Sequence, residues 1–460
     1  MQIPDSASAP FGCVGSSPGT GRKWTSGSDV PVGQVFEDLP LTSEHWKACF
    51  TLFVTFVIEA WEMMIIVYAS PHVAKDFSLN ASAIGNLIGS IFLGMAIGSV
   101  IWTVVCDRIG RKATVISSLA LYGIASGVSV IAPDYGWLYS LRLLSGIAAA
   151  GMLVVTFPYF EELLPVRSRG RLTVYLASGW PLGILCAIGA TVWLTPYGWR
   201  AMLAVSSAAS LWLVFVAFFV PESPYWLAGV GRQDEAKAVI RRLSKGRLQL
   251  PEAVRLVVDS HERASWKGLL SKRFLRITVL QIAINFTFSW GYWGIQSWLP
   301  VLLQKKGLDL PQSYAFIAIS ALCMVPGYIA ASFLTGRIGR KLTVVLFIGA
   351  AAVAGYAFAF ADSMKVVYAS NFALAFFSLG AWGVWDTWVA ELYPTSLRTV
   401  GYGWMIFAQR IANIVAPSTI GALLAAGSSF TVTTTMINAF MVASVILAFF
   451  LPETEGRDLV

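Results

Sequence analysis

Asp107-Arg108-Ile109-Gly110-Arg111-Lys112 recurs as Gly336-Arg337-Ile338-Gly339-Arg340-Lys341, an offset of 229 residues. The same 229 relates Glu162, Pro165 and Arg169 to Glu391, Pro394 and Arg398, and Pro71 to Pro300. One such coincidence is cheap, but several at a single offset mark two homologous halves arranged in parallel. Each copy of the basic hexapeptide lies between apolar runs of roughly 20 residues, the length that crosses the hydrocarbon of a bilayer once. The repeated unit is therefore a set of membrane spans joined by charged turns.

Composition agrees. Of 460 residues 56% are apolar and 13% charged, where a soluble domain carries roughly 25% charged. That excludes a disordered chain and leaves too little ionic surface for a soluble one. The net charge is +8, yet the basic residues fall in short clusters between apolar runs and not on one face, so no nucleic-acid groove is expected. The apolar runs predict spans at 48–70, 84–106, 113–131, 137–160, 172–194 and 199–220, then at 276–303, 313–335, 342–361, 366–390, 400–426 and 431–451. The expected fold is an all-α membrane protein of twelve transmembrane helices in two six-helix bundles, 47–220 and 276–451. Between them 221–275 is a polar cytoplasmic linker in which Asp234–Gly246 has the charge pattern of an amphipathic helix. Residues 1–46, rich in Ser, Gly and Pro, read as a disordered cytoplasmic tail, and 452–460 as a second tail. With the N-terminus inside, 26 of the 33 Lys and Arg lie on the inner side, five in outer loops and two within spans. Basic residues are retained on the cytoplasmic side, so both termini are placed there.

The cysteines (Cys13, Cys49, Cys106, Cys186, Cys323) show no ligand-like spacing, and His45, His72 and His261 fall near or outside span ends. Neither a metal centre nor a cofactor is expected. A membrane enzyme needs clustered catalytic residues at one face, and the sequence offers none.

The 107–112 loop resembles the signature between helices 2 and 3 of the major facilitator superfamily, with Thr103 where a glycine is usual. Arg142 and Gly146 resemble its RxxxG element. Glu162-Leu-Leu-Pro165 with Arg169-Gly170-Arg171, Pro221-Glu222-Ser223-Pro224 and Pro452-Glu453-Thr454 resemble the branch shared by sugar porters, organic-ion transporters and niacin transporters. Trp293-Gly294-Ile295-Gln296-Ser297-Trp298-Leu299-Pro300 is most similar to bacterial metabolite:proton symporters and niacin-type carriers. The resemblance covers about 45–460. It implies a secondary transporter working by alternating access, moving a small molecule with protons across a cell membrane. A bacterial inner membrane is favoured by the short first outer loop, and a monomer is expected.

Three groups of residues follow. Asp107, Arg108, Arg111, Arg337 and Arg340, with Glu162, Arg169, Glu391 and Arg398, are expected to latch the cytoplasmic ends of the helices, partnering the opposite loop's arginines; bare anchoring of helix ends is the alternative. Gly336 in place of an aspartate makes that latch asymmetric. Ionisable groups at membrane depth mark a pathway or a pair. Glu59 and Glu62 in span 1, Arg142 in span 4 and Asp386 in span 10 are the proton-coupling candidates. Resemblance to proton-coupled sugar porters favours Glu62 with Arg142. Glu59 is close enough in sequence to titrate with Glu62, and a permanent salt bridge is the competing role.

Gln281, Asn285, Ser289, Tyr292 and Gln296 form one polar stripe on span 7, which should face a cavity. Trp293, Trp382 and Trp385 flank it, whereas tryptophans near span ends, such as Trp298 and Trp388, suit an interfacial belt. With Arg410 these residues fit a small planar carboxylate such as an aromatic acid or nicotinate. Glu59, Glu62 and Asp386 would instead attract an organic cation. A proton-coupled efflux carrier, a sugar carrier and a transporter-like sensor also stay open, although Gln281–Ser289 lacks the usual sugar-porter pattern. Glu62→Gln is expected to abolish proton-driven accumulation while sparing substrate exchange in proteoliposomes; accumulation against a gradient in that variant refutes the assignment.

Overall fold

The computed structural model describes residues 29–37, 39–258, 266–393 and 395–454. A short strand β1 (Asp29–Pro31) and helix α1 (Val32–Glu37) precede the first bundle. That bundle comprises α2 (Ser43–Asp76), α3 (Ala81–Ile109), α4 (Arg111–Ser129) and α5 (Tyr135–Glu162). Its fifth span is α6 (Val166–Ala177) with α7 (Gly179–Leu194), and its sixth is α8 (Gly198–Ala209) with α9 (Leu213–Phe219). The linker supplies α10 (Pro224–Gly229), α11 (Gln233–Leu243) and β2 (Arg255–Val257). The second bundle is α12 (Leu275–Lys305), α13 (Leu310–Ile338), α14 (Arg340–Ala359), α15 (Met364–Glu391), α16 (Thr395–Ala425) and α17 (Phe430–Ala448). All twelve expected spans are helical. Of these long helices α4, α12 and α16 stand outside the strongly apolar group. The last two carry the polar stripe and Arg410, so the least lipid-like helices are those that face inward.

Caps explain where the helices begin. Far from the linker, Asn80, Asp134, Asp309, Ser363 and Ser429 each accept a hydrogen bond from a first-turn backbone N–H. Asn80 thus has a local structural task in the Asn80-Ala81-Ser82 tripeptide. At the linker end α4 and α14 begin at Gly110 (φ +93°) and Gly339 (φ +89°), with no side-chain cap of their own. A remote carboxylate replaces it. Glu222 accepts from the N–H groups of Arg111 at 2.9 Å and Lys112 at 3.2 Å, and Glu453 accepts from Arg340 and Lys341, both at 3.0 Å. A Cβ at either glycine would collide with that carboxylate, so the repeated glycine serves both the turn and the close approach.

Close packing joins the halves. The glycines of α3 divide between two neighbours: Gly94 and Gly98 lie on the α5 backbone, while Gly85 and Gly89 lie on α16 near Pro417 and Ile414. The hydroxyl of Tyr314 donates to the carbonyl of Tyr68 at 2.7 Å, tying α13 to α2.

Two expectations need correction. Within the tail expected to be disordered, Asp29–Glu37 is folded. β1 pairs in parallel with β2 (Val30 opposite Leu256), and Val32, Val35 and Phe36 are buried. Phe36 packs on Tyr225 of α10 at 5.5 Å, and the Thr42 hydroxyl donates to Leu243. The apolar residues of this segment are too few to register in a Ser- and Gly-rich stretch, and the linker completes their core. Residues 1–28 and 455–460 lie outside the described residues. The belt expected for Trp298 and Trp388 is also wrong, because both are fully buried. Their indole N–H groups donate to the carbonyls of Pro417 and Pro452 at 3.0 and 3.1 Å, as a buried indole requires.

Burial pushes the Glu222 carboxyl above its ordinary value, against the pull of the backbone N–H groups of Ser223, Lys112 and Arg111. A raised folded-state value favours the neutral form, so acidification does not weaken the fold through this residue; its charge costs stability as pH rises through the folded value. Glu222→Gln keeps an acceptor without the charge and is expected to leave stability nearly unchanged. Glu222→Ala strands the α4 amides and should lose about 1–3 kcal/mol. Thermal unfolding of the purified variants at neutral pH measures the difference.

Candidate functional site

At the linker end each half builds its own ionic cluster. Arg111 meets Glu162 across 3.2 Å and Asp107 across 3.5 Å, while Arg340 meets Glu391 across 3.0 Å. In the second half the Thr454 hydroxyl donates to Glu391 at 2.7 Å, and Gly336 stands where the first half has Asp107. The clusters are related by the repeat, and they also correct the expected partnering. Glu162 and Glu391 pair with the arginine of the loop in their own half, because the loop and the end of the fourth helix in each bundle are neighbours there. Arg169 stands apart, donating to the Leu164 carbonyl at 3.4 Å and the Tyr225 hydroxyl at 3.3 Å. Arg108 and Arg337 are exposed, the latter over the Phe333 ring at 4.1 Å. The side chain of Arg398 lies outside the described residues.

Deeper in the first bundle Glu62 and Arg142 are fully buried and paired at 3.1 Å. Ser145 donates to the same Glu62 oxygen, and Arg142 reaches Ser126 at 3.2 Å and Ser129 at 2.8 Å. All of these residues belong to the first half. Glu59, one turn earlier on α2, is also buried, but neither of its oxygens has a hydrogen-bond partner. The charge that acts on it is Arg410 of α16, in the other half. The two carboxylates expected to act as a unit therefore answer to different arginines.

Arg410 is 6% exposed, and its Nε is buried without a partner. One turn further along α16, Asn413 is fully buried with both amide atoms unpartnered. On α12 the stripe divides in two. Gln281 donates to Gly401 at 3.5 Å and Asn285 donates to Met405, with Trp385 donating back to Asn285 at 3.1 Å. These side chains hold α12 to α16 and α15. Ser289 and the indole N–H of Trp293 are buried with no partner, and Tyr292 and Gln296 are buried beside them.

The aromatic groups come from both halves. Trp293 meets Phe92 at 4.9 Å, Tyr292 at 5.5 Å and Trp180 at 6.0 Å, all edge to face. Trp382 meets Phe288 at 4.7 Å and Tyr292 at 6.2 Å. Asp386 is half-buried, with Tyr328 and Tyr402 close enough to feel its charge. Tyr402 in turn senses Arg410 and Glu161. Phe92, Trp180, Tyr328, Tyr402 and Asn413 are absent from the sequence reading. An aromatic ring in an apolar helix has the same signature whether it faces lipid or its neighbour, so four of them carried no signal. Asn413 did carry one: an amide one turn from a buried arginine.

Chemically, the middle of α16 presents a guanidinium and an amide with unmet hydrogen bonds, and α12 presents an aromatic cluster about Trp293. Among the described residues no group of His, Cys, Asp and Glu is arranged to hold a metal ion. The surroundings suit a small flat anion: charge-assisted bonds to Arg410 and ring contacts with Trp293 and Tyr292.

Residues 51–417 match the sequence profile of the Major Facilitator Superfamily. The chain is 31% identical to a niacin transporter of Acinetobacter baylyi over 427 residues, covering 92% of this chain and 97% of that one. It is 29% identical to a putative niacin/nicotinamide transporter of Bacillus subtilis, over 75% of this chain and 80% of that one. A cis,cis-muconate transport protein of A. baylyi is 24% identical, over 90% and 96%. Among solved structures, the E. coli xylose transporter in a partially occluded, inward-open conformation superposes with a TM-score of 0.72. It is 18% identical and covers 91% of this chain and 100% of its own, a likeness of fold.

Proposed function

The chain belongs to the Major Facilitator Superfamily, and we propose that within it the protein takes up a small planar carboxylate, niacin or a close analogue, driven by protons. It is a multi-pass secondary transporter and not an enzyme. The observation that carries the substrate class is Arg410: a buried guanidinium in the middle of α16, with an Nε that no protein group answers. Leaving a buried donor unmet is costly, and a ligand carboxylate answers it with paired, charge-assisted bonds. Trp293, Tyr292 and Trp382 supply faces and edges for the ring, and Phe92 and Trp180 let the first half close on the same ligand. The names of the two niacin-type relatives point the same way.

Proton coupling rests on the buried carboxylates Glu59 and Glu62 and the half-buried Asp386. The arginine–carboxylate clusters at the linker end act as latches: each ties the loop before α4 or α14 to the end of α5 or α15, so a closed cytoplasmic face keeps these ends in register. Placing both termini in the cytoplasm of a bacterium puts the latches on the inner side. The chain works as a monomer, since each half contributes to one central site.

A second reading has its own support. Asp386 between Tyr328 and Tyr402 is a cation-attracting group, which suits an organic cation or an efflux substrate. Uptake into proteoliposomes under an imposed pH gradient, inside alkaline, separates the two. Radiolabelled nicotinate is expected to accumulate, and Arg410→Gln to reduce its uptake at least tenfold. Accumulation of a quaternary pyridinium in preference to nicotinate overturns the carboxylate assignment.

A further inference from the structure

We propose that Glu59 is the internal stand-in for the substrate: its carboxylate and that of the ligand compete for Arg410, so loading one anion obliges Glu59 to take up one proton. The inference rests on the carboxylate reading above and assigns the binding-linked proton to a residue outside the Glu62–Arg142 pair.

The geometry distinguishes two carboxylates that the sequence makes look alike. Glu62 is held inside the first half by Arg142 and Ser145, and Arg142 is itself held by Ser126 and Ser129. Glu62 Oε2 and Arg142 Nε stay unmet, but Glu62 has its counter-charge and its hydrogen bonds within its own half. Glu59 makes no hydrogen bond through either oxygen, and its counter-charge belongs to the other half. The Nε of Arg410 is unmet and the amide of Asn413 is unmet on both atoms. Charges on opposite halves with open hydrogen-bonding positions are what an incoming carboxylate displaces most cheaply.

The surroundings leave no other group to balance the change. Glu62 on the same helix is matched by Arg142 on α5. Helix α9 carries no ionisable residue and α7 only the thiol of Cys186, and those of α12 sit at its ends apart from its buried tyrosine, Tyr292. The other direct neighbour of Arg410 is Tyr402, a neutral phenol, and beyond it lie Asp386 and Glu161. When a ligand carboxylate occupies Arg410, two anions face one guanidinium in a low-dielectric interior, and the like-charge contact is relieved when Glu59 binds a proton. The balance is simple: one anion and one proton enter, and the net charge of the site is unchanged. The pair can then cross with no added charge in hydrocarbon. Without ligand, Glu59 returns to Arg410 and releases the proton. By linkage, a proton that favours the anion is in turn favoured by it.

Calorimetric titration of the purified full chain with benzoate and nicotinate, from pH 6 to 8, tests this. Both probes stay anionic over that range. In the wild type the Kd is expected to rise about tenfold per pH unit, and comparison of buffers of different ionisation heat to show one proton taken up per carboxylate bound. Glu59→Gln is expected to bind with a flat pH profile and no proton uptake, at an affinity equal to or above that of the wild type at pH 8. Glu59→Asp restores the slope, which separates a missing titratable group from a damaged fold. A sloped profile with proton uptake in Glu59→Gln overturns the proposal, as does a flat profile in a wild type that binds. Failure of the wild type to bind either carboxylate overturns the reading on which the proposal stands, and the proposal with it.

Discussion

Burying charge in hydrocarbon costs several kcal/mol per group unless the protein answers it, and the arrangement of this molecule follows from how each buried charge is answered. Arg142 and Glu62 answer one another within one half, with Ser126 and Ser129 accepting from the same guanidinium. Arg410 and Glu59 answer one another only across the boundary between halves, with hydrogen bonds left unmade. The first arrangement lies inside one bundle, and the second spans the two.

The same economy governs the ends of the helices. Two helices that start on a positive-φ glycine have no side-chain cap, and in both cases a carboxylate more than a hundred residues away accepts their first amides. The capping carboxylates lie just after the last helix of each half, so each six-helix unit is fastened by its own terminus. The adjoining Arg111–Glu162 and Arg340–Glu391 pairs fasten the same turn to the end of α5 or α15. Each half is thereby closed at the linker end by bonds to itself. The contacts between the two halves are of another kind: α3 on α16, Tyr314 on Tyr68, and the aromatic cluster about Trp293.

The folded segment before α2 adds to this. Phe36 rests on Tyr225, whose hydroxyl accepts from Arg169 at the start of α6. The first linker elements are so bound to the first half, while the short turn Trp266–Leu270 touches the second half: the Leu269 carbonyl accepts from Thr278 at 3.2 Å. The connection between the bodies is thus confined to the stretch between those anchors.

Much of this was legible in the residues alone. The 229-residue offset announced two halves, the apolar runs announced twelve helices, and the few charges at membrane depth named Glu59, Glu62, Arg142, Asp386 and Arg410. These are properties of periodicity and composition, which a chain carries whether or not it is folded. The sequence could not say which carboxylate faces which arginine, since Glu59 and Glu62 share a helix face to within one turn. Nor could it separate Gln281 and Asn285, spent on holding helices together, from Ser289 and Asn413, whose bonds are unmet. It missed Phe92 and Trp180 altogether, and it sent Trp298 and Trp388 to the lipid interface. Those decisions belong to the tertiary structure, because a side chain's role in a bilayer depends on which neighbouring helix satisfies it, and neighbours hundreds of residues apart leave no trace in local spacing.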